Sequence, residues 1–239
     1  MKVDIEHMPI SLEHDGLKDA VVRIRYVSDY NVRFVSKTIL SAINSDNNNF
    51  EEIPTKDTSV VNDSMSYKDS NDKILLANPI YRIQISERDI ALNFTNNYPG
   101  WNDYSKLIET VLTAINQVEL QGVSLHYLSG FENTDIFRAL DGTIKLNQLP
   151  IFQGSVFNFS CSCNDGNESI AEAKIKLTNN IQIQNSKISI VEITIAGKAG
   201  HYSQKECMSL LTKCHNFEKH LFFLLLSEEF INILGPRYE

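Results

Sequence analysis

NPIYRIQISERDIALNFTNNYPGWNDYSKLIETVLTAINQVELQGVSLHYLSGF, residues 78–131, reads as strand, tight turn, strand, helix, strand. Tyr81, Ile83 and Ile85 alternate with polar residues, and so do Ile90, Leu92 and Phe94 beyond a turn at 87–89. This is the period-2 pattern of half-buried strands. Tyr98-Pro99-Gly100-Trp101 makes a turn that launches a helix, along which Trp101, Tyr104, Ile108, Val111, Leu112 and Ile115 fall at helical spacing. Val123, Leu125 and Tyr127 then alternate again.

Working outward, residues 20–27 form a first strand, with Val22, Ile24 and Tyr26 facing one way and Arg23 and Arg25 the other. Val32, Val35, Ile39, Leu40 and Ile43 make the apolar stripe of a helix over 31–43. The order up to Tyr127 is therefore the β-α-β-β-α-β of ferredoxin-like domains. Residues 44–73, rich in Asn, Asp and Ser, read as a long mobile loop with a short extended piece at 58–61. Beyond a connector at 142–150, strands are expected at 152–161, 170–177 and 188–195, the first two joined by the turn sequence Asn164-Asp165-Gly166-Asn167. A long helix over 202–226 and a short one over 228–234 close the chain. The expected fold class is α+β, with two antiparallel-sheet halves each covered by a long helix. The first half runs over 1–148 and the second over 149–239.

A hydrophobic content of 42% and a charged content of 22% suit a globular chain. The formal net charge of −8 disfavours nucleic acid and anionic lipid, which need clustered Lys and Arg. The opening MKVDIEHMPISLEHDG lacks the apolar core of a signal peptide, and the longest apolar run, 221–226, is far short of a bilayer span. A cytoplasmic location with free thiols at Cys161, Cys163, Cys207 and Cys214 is the expectation.

Nucleotide-binding glycine loops, His-Glu-x-x-His and Gly-x-Ser-x-Gly are all missing. Gly197-Lys198-Ala199-Gly200 imitates a phosphate loop but lacks the lysine–hydroxyl pair, so it reads as a strand-to-helix turn. Cys161 and Cys163 with Cys207, Cys214, His215 or His220 form a poor zinc set, because the spacings are not those of zinc knuckles. No metal and no cofactor are expected. His126, His201, His215 and His220 have no carboxylate predictably beside them, so no acid–base pair is identified. The enzyme reading with most substance is a metal-dependent nuclease, in which Asp165 and Glu172 hold magnesium and Lys174 orients water. Against it, an Asn-Asp-Gly turn favours Asp165 for backbone reasons, and Glu172, Lys174 and Lys176 alternate like any wet strand face. A small-molecule sensor, with a cavity between sheet and helices, is the other alternative.

Trp101 is the single tryptophan and reads as a plug at the helix entrance with Tyr98 and Tyr104. Leu221-Phe222-Phe223-Leu224-Leu225-Leu226 is apolar on every side and must be covered on every side, by its own chain or by another. Phe222, Phe223 and Leu226 are accordingly the candidate protein-contact residues.

The 78–131 block resembles a family of sporadically distributed bacterial and archaeal proteins. Its members show an apolar strand pair, a Tyr-x-x-Trp helix start and a strand ending in Leu-x-Tyr-(Ile/Leu)-x-x-Phe. Here these are Tyr98 with Trp101, and Leu125, Tyr127, Leu128 and Phe131. The similarity reaches the start of the chain and its His220-Leu221-Phe222-Phe223…Phe230-Ile231-Asn232 end, while 145–185 departs from it. The resemblance brings no catalytic residue with it. The family's patchy distribution is similar to that of accessory genes in mobile or defence loci, and so implies a component of an antiviral or toxin–antitoxin system. The expectation is a non-enzymatic interaction module that binds a protein partner or a second copy through sheet edges, the 44–73 loop or the terminal helix.

Overall fold

The computed structural model describes residues 8–9, 11–14, 16–45, 48–54, 73–95, 97–141, 156–166, 168–183 and 185–238. Its strands are β1 (Ser11–Leu12), β2 (Leu17–Val27), β3 (Glu51–Ile53), β4 (Ile74–Ala77), β5 (Tyr81–Ile85), β6 (Asp89–Phe94), β7 (Glu119–Glu132), β8 (Val156–Asp165), β9 (Glu168–Ile183), β10 (Ser186–Gly197) and β11 (Pro236–Arg237). The helices are α1 (Val32–Ser45), α2 (Trp101–Ala114), α3 (Ile136–Ala139), α4 (Gln204–Leu225) and α5 (Glu228–Ile233). The chain is α+β, with antiparallel strand pairing.

Two compact units are built from it, neither a continuous stretch: Met1–Ala20 with Ser124–Lys198 and Leu210–Glu239, and Val21–Val123 with Ala199–Ser209. The expected boundary at 148–149 lies outside the described residues. So do residues 46–47 and 55–72 of the expected loop, including its extended piece at 58–61.

In the unit built on Val21–Val123, strands lie in the order β3-β4-β5-β6-β2-β7. Alternation along each strand builds rows across the sheet. Leu76, Ile83, Leu92 and Val22 form one row, and Ile74, Ile85, Ile90 and Ile24 the next. Of these eight, all but Ile74 are at most 1% exposed, each burial being worth roughly 1.5–3 kcal/mol. The buried stripe of α1 (Val35, Ile39, Ile43) and that of α2 (Tyr104, Ile108, Val111, Leu112) complete this core. Gly100 opens α2 at φ 89, a left-handed conformation that favours glycine. Strand β3 falls inside the segment expected as loop and pairs with β4.

Tyr104, rather than Trp101, is the fully enclosed aromatic of this unit. It is 0% exposed, and its hydroxyl donates to Leu92 O and accepts from Val22 N at 3.3 Å. Tyr81 stacks on it at 6.1 Å and Phe50 on Tyr81 at 6.5 Å, while Trp101, only half-buried, meets its edge at 6.4 Å.

In the other unit the order is β7-β10-β9-β8. Tyr127, Ile193, Ile175 and Phe159 form one row, and Leu125, Ile195, Ala173 and Cys161 another. Leu211, Cys214, Phe223 and Leu226 of the terminal helical region are buried. The end of α4 is covered by its own chain: Asp141 N donates to Leu225 O at 2.9 Å, Ser227 N donates to Ala139 O at 2.8 Å, and Leu140 bridges Leu226. Phe223 (4% exposed) and Leu226 (2%) are therefore core, which corrects their reading as partner contacts. Phe222 is half-buried, and the outward residue of the run is Leu224.

Leading and trailing segments join in this unit, as β1 pairs with β11 and Glu13 N donates to Gly235 O at 3.0 Å. Gly16 is required where β2 begins. At φ 66 its carbonyl accepts from Gly130 N, and a Cβ there would lie 2.7 Å from the Phe131 ring.

Candidate functional site: the outer edge and polar face of β8

Strand β8 is the last in its unit's order and pairs with β9 alone among the described strands. Its ten residues, VFNFSCSCND, carry no charge before Asp165. Val156 is 51% exposed and Cys161 is exposed. Phe157 and Phe159 are half-buried, their rings 5.6 Å apart, opposite Leu177 and Ile175. An edge strand presents unpaired N–H and C=O groups, and proteins ordinarily blunt such edges with charge, brevity or proline. The terminal strand of the other unit, β3, is blunted in this way, with three residues of which Glu51 and Glu52 are two. Strand β8 is long, nearly uncharged and without proline.

Its even-numbered residues from Asn158 to Ser162 belong to a polar face. Asn158 lies opposite Lys176, Ser160 opposite Lys174, and Ser162 opposite Glu172. One strand further in, Lys176 pairs with Glu192 at 2.6 Å, and Thr194 Oγ1 lies 2.9 Å from His126 Nδ1. Asn158, Ser160, Lys174, Lys176, Glu192 and Thr194 line a shallow cavity of about 400 Å³ on this face.

Glu172 and Lys174 thus lie at this site, both exposed on β9. Asp165 does not join them. A bulge at Cys163/Asn164 breaks the alternation, and the Asp165 carboxylate lies 2.7 Å from Lys213 Nζ on α4. It lines a separate cavity of about 650 Å³ with Asn216, Phe217 and His220. The nuclease set is therefore not assembled in one place. Among the described residues, no group of three or more His, Cys, Asp or Glu side chains is placed to hold a metal ion.

Burial pushes the Cys163 thiol up to about 11 and the Cys207 thiol up to about 12, so both are protonated apolar fillers rather than nucleophiles. His201 pairs with Glu119 at 2.5 Å. His215 lies 3.1 Å from the Tyr127 hydroxyl, and burial, with Lys219 adding repulsion, lowers its pKa to about 4. Glu218, which pattern reading passed over, is 7% exposed, and burial raises its carboxyl to about 8. The signal was its place four residues after Cys214 and seven after Leu211, on the apolar stripe of α4.

No protein-family model matches the chain, and no curated protein matches it. Among the described residues, no helix is long and apolar enough to cross a membrane.

Proposed function

We propose that this chain is a non-enzymatic, cytoplasmic protein-interaction module that joins an extended protein segment to the outer edge of β8, which no other described strand occupies. The observation that carries the proposal is the ten-residue terminal strand with no charge before its last residue. Strand addition draws affinity from main-chain hydrogen bonds and specificity from alternate side chains. An added segment here places one set of side chains beside Phe157, Phe159 and Cys161. The other set lies beside Asn158, Ser160 and, one strand further, Lys174. The unit built on Val21–Val123 serves as scaffold. Its reading as ferredoxin-like rests on the β5-β6-β2-β7 order with α1 and α2 between the strands in sequence. The biological setting, an accessory component of an antiviral defence or toxin–antitoxin system, rests on the family resemblance alone.

The test is affinity capture of the tagged chain from its source cells, with mass spectrometry of what is recovered. Wild type should retain a protein that Val156→Lys/Cys161→Lys loses, the two proteins having equal melting temperatures. A companion recovered equally well by both would overturn the assignment of the edge.

A further inference from the structure

We infer that the segment seated on the β8 edge is β8 of a second copy of this chain, paired antiparallel about a two-fold axis normal to the sheet. This rests on the proposed function and names its occupant.

The argument is one of self-complementarity. A two-fold normal to the sheet leaves each face on its own side, so odd-numbered residues of β8 meet odd-numbered residues of the other copy, and even meet even. The odd set is Phe157, Phe159 and Cys161, followed by buried Cys163; the even set, beyond Val156 at the start of the strand, is Asn158, Ser160 and Ser162. Apolar therefore meets apolar on one face, and hydroxyl or amide meets the same on the other.

Charge leaves this edge open to the same occupant. The chain carries a net −8, so two copies repel each other overall and a contact between them needs an uncharged strip. Strand β8 brings no like charges together until Asp165, and that carboxylate is paired with Lys213. Lys174 and Glu172, opposite Ser160 and Ser162, sit one strand back and have opposite signs. Phe157 and Phe159 are half-buried within one chain, and paired copies would cover the exposed part of both rings.

The experiment is light scattering across a concentration series, with cross-linking by a short bis-maleimide. With the two-fold axis at Ser160, two Cys161 side chains in such a pair lie within about 10 Å, given the strand rise and spacing. Wild type should show twice the 27.2 kDa chain mass and a cross-linked dimer that Cys161→Ser abolishes. Asn158→Lys/Ser160→Lys should be folded and monomeric, since it sets like charges across the axis. A monomeric wild type would overturn the second copy as occupant. If capture of another protein in that case still depends on Val156 and Cys161, the interaction reading survives; if it does not, both fail. A dimer that persists in Asn158→Lys/Ser160→Lys and is not cross-linked through Cys161 would also overturn the inference.

Discussion

Tyr104 and Glu218 show what a single residue position does in this chain. Tyr104 joins β6 and β2 through one hydroxyl and supports three aromatic neighbours, so Tyr104→Ala should cost about 3–5 kcal/mol, as loss of a core aromatic does. Trp101→Ala should cost less, because Trp101 is half-buried; chemical denaturation of the two variants measures the order, and a larger loss for Trp101→Ala contradicts it. Both residues were legible as part of an aromatic helix start. Which of them was enclosed was not, because helical spacing assigns a side and not a depth.

Glu218 makes a prediction about pH. Its carboxyl stays protonated in the fold up to about 8 but ionises near 4.5 in the open chain. The folded state then holds the extra proton, so this group lowers stability progressively as pH rises from 4.5 towards 8. Glu218→Gln should melt close to wild type near pH 4 and above it near pH 8, and a gap independent of pH would contradict the burial effect. His215 acts in the opposite sense. Its neutral form is held down to about 4 against an ordinary 6.5, so stability present above 6.5 is lost as pH falls towards 4. His215→Gln should flatten that acid slope in thermal melts.

At the scale of elements, α4 and β8 divide the roles that the sequence reading had assigned together. An all-round apolar run demanded cover, and the cover is the Ala139–Asp141 backbone and the start of α5 rather than another chain. Phe223→Glu/Leu226→Glu should accordingly give unfolded, aggregated protein, whereas Leu224→Glu, at a position 39% exposed, should remain folded. Circular dichroism and sedimentation separate the outcomes, and a soluble folded double variant would contradict core placement. Strands were legible by alternation, but β8 runs on to Asp165, four residues past the expected end at 161, while 152–155 lie outside the described residues. FNFSCSC alternates in strict period 2, and the end of the strand was missed because Asn164 and Asp165 carry the composition of the turn that follows. The separation of Asp165 from Glu172 and Lys174 was not legible, because a bulge resets which face a residue joins and leaves no composition signal.

For the whole molecule, charge and connectivity set what the chain can do. With Asp165 bound to Lys213 and lining a different cavity from Lys174, magnesium or manganese should bring no cleavage of plasmid or RNA. Cleavage abolished by both Glu172→Ala and Lys174→Ala would contradict this. The α+β class could be read from periodicity. The division into discontinuous units could not, because it depends on pairings such as Leu12 with Pro236, and nothing local in either segment announces them.

Association at the outer edge of β8 is read by hydrogen exchange with mass spectrometry. Alternate amides of an edge strand point outward and exchange freely until another strand pairs with them. Comparing the associated wild type with Val156→Lys/Cys161→Lys, the account predicts slowed exchange over residues 156–163, with β9 and β10 unchanged. Equal exchange over those residues in the two proteins, with new protection in the wild type confined to α4 or to β3, would contradict it.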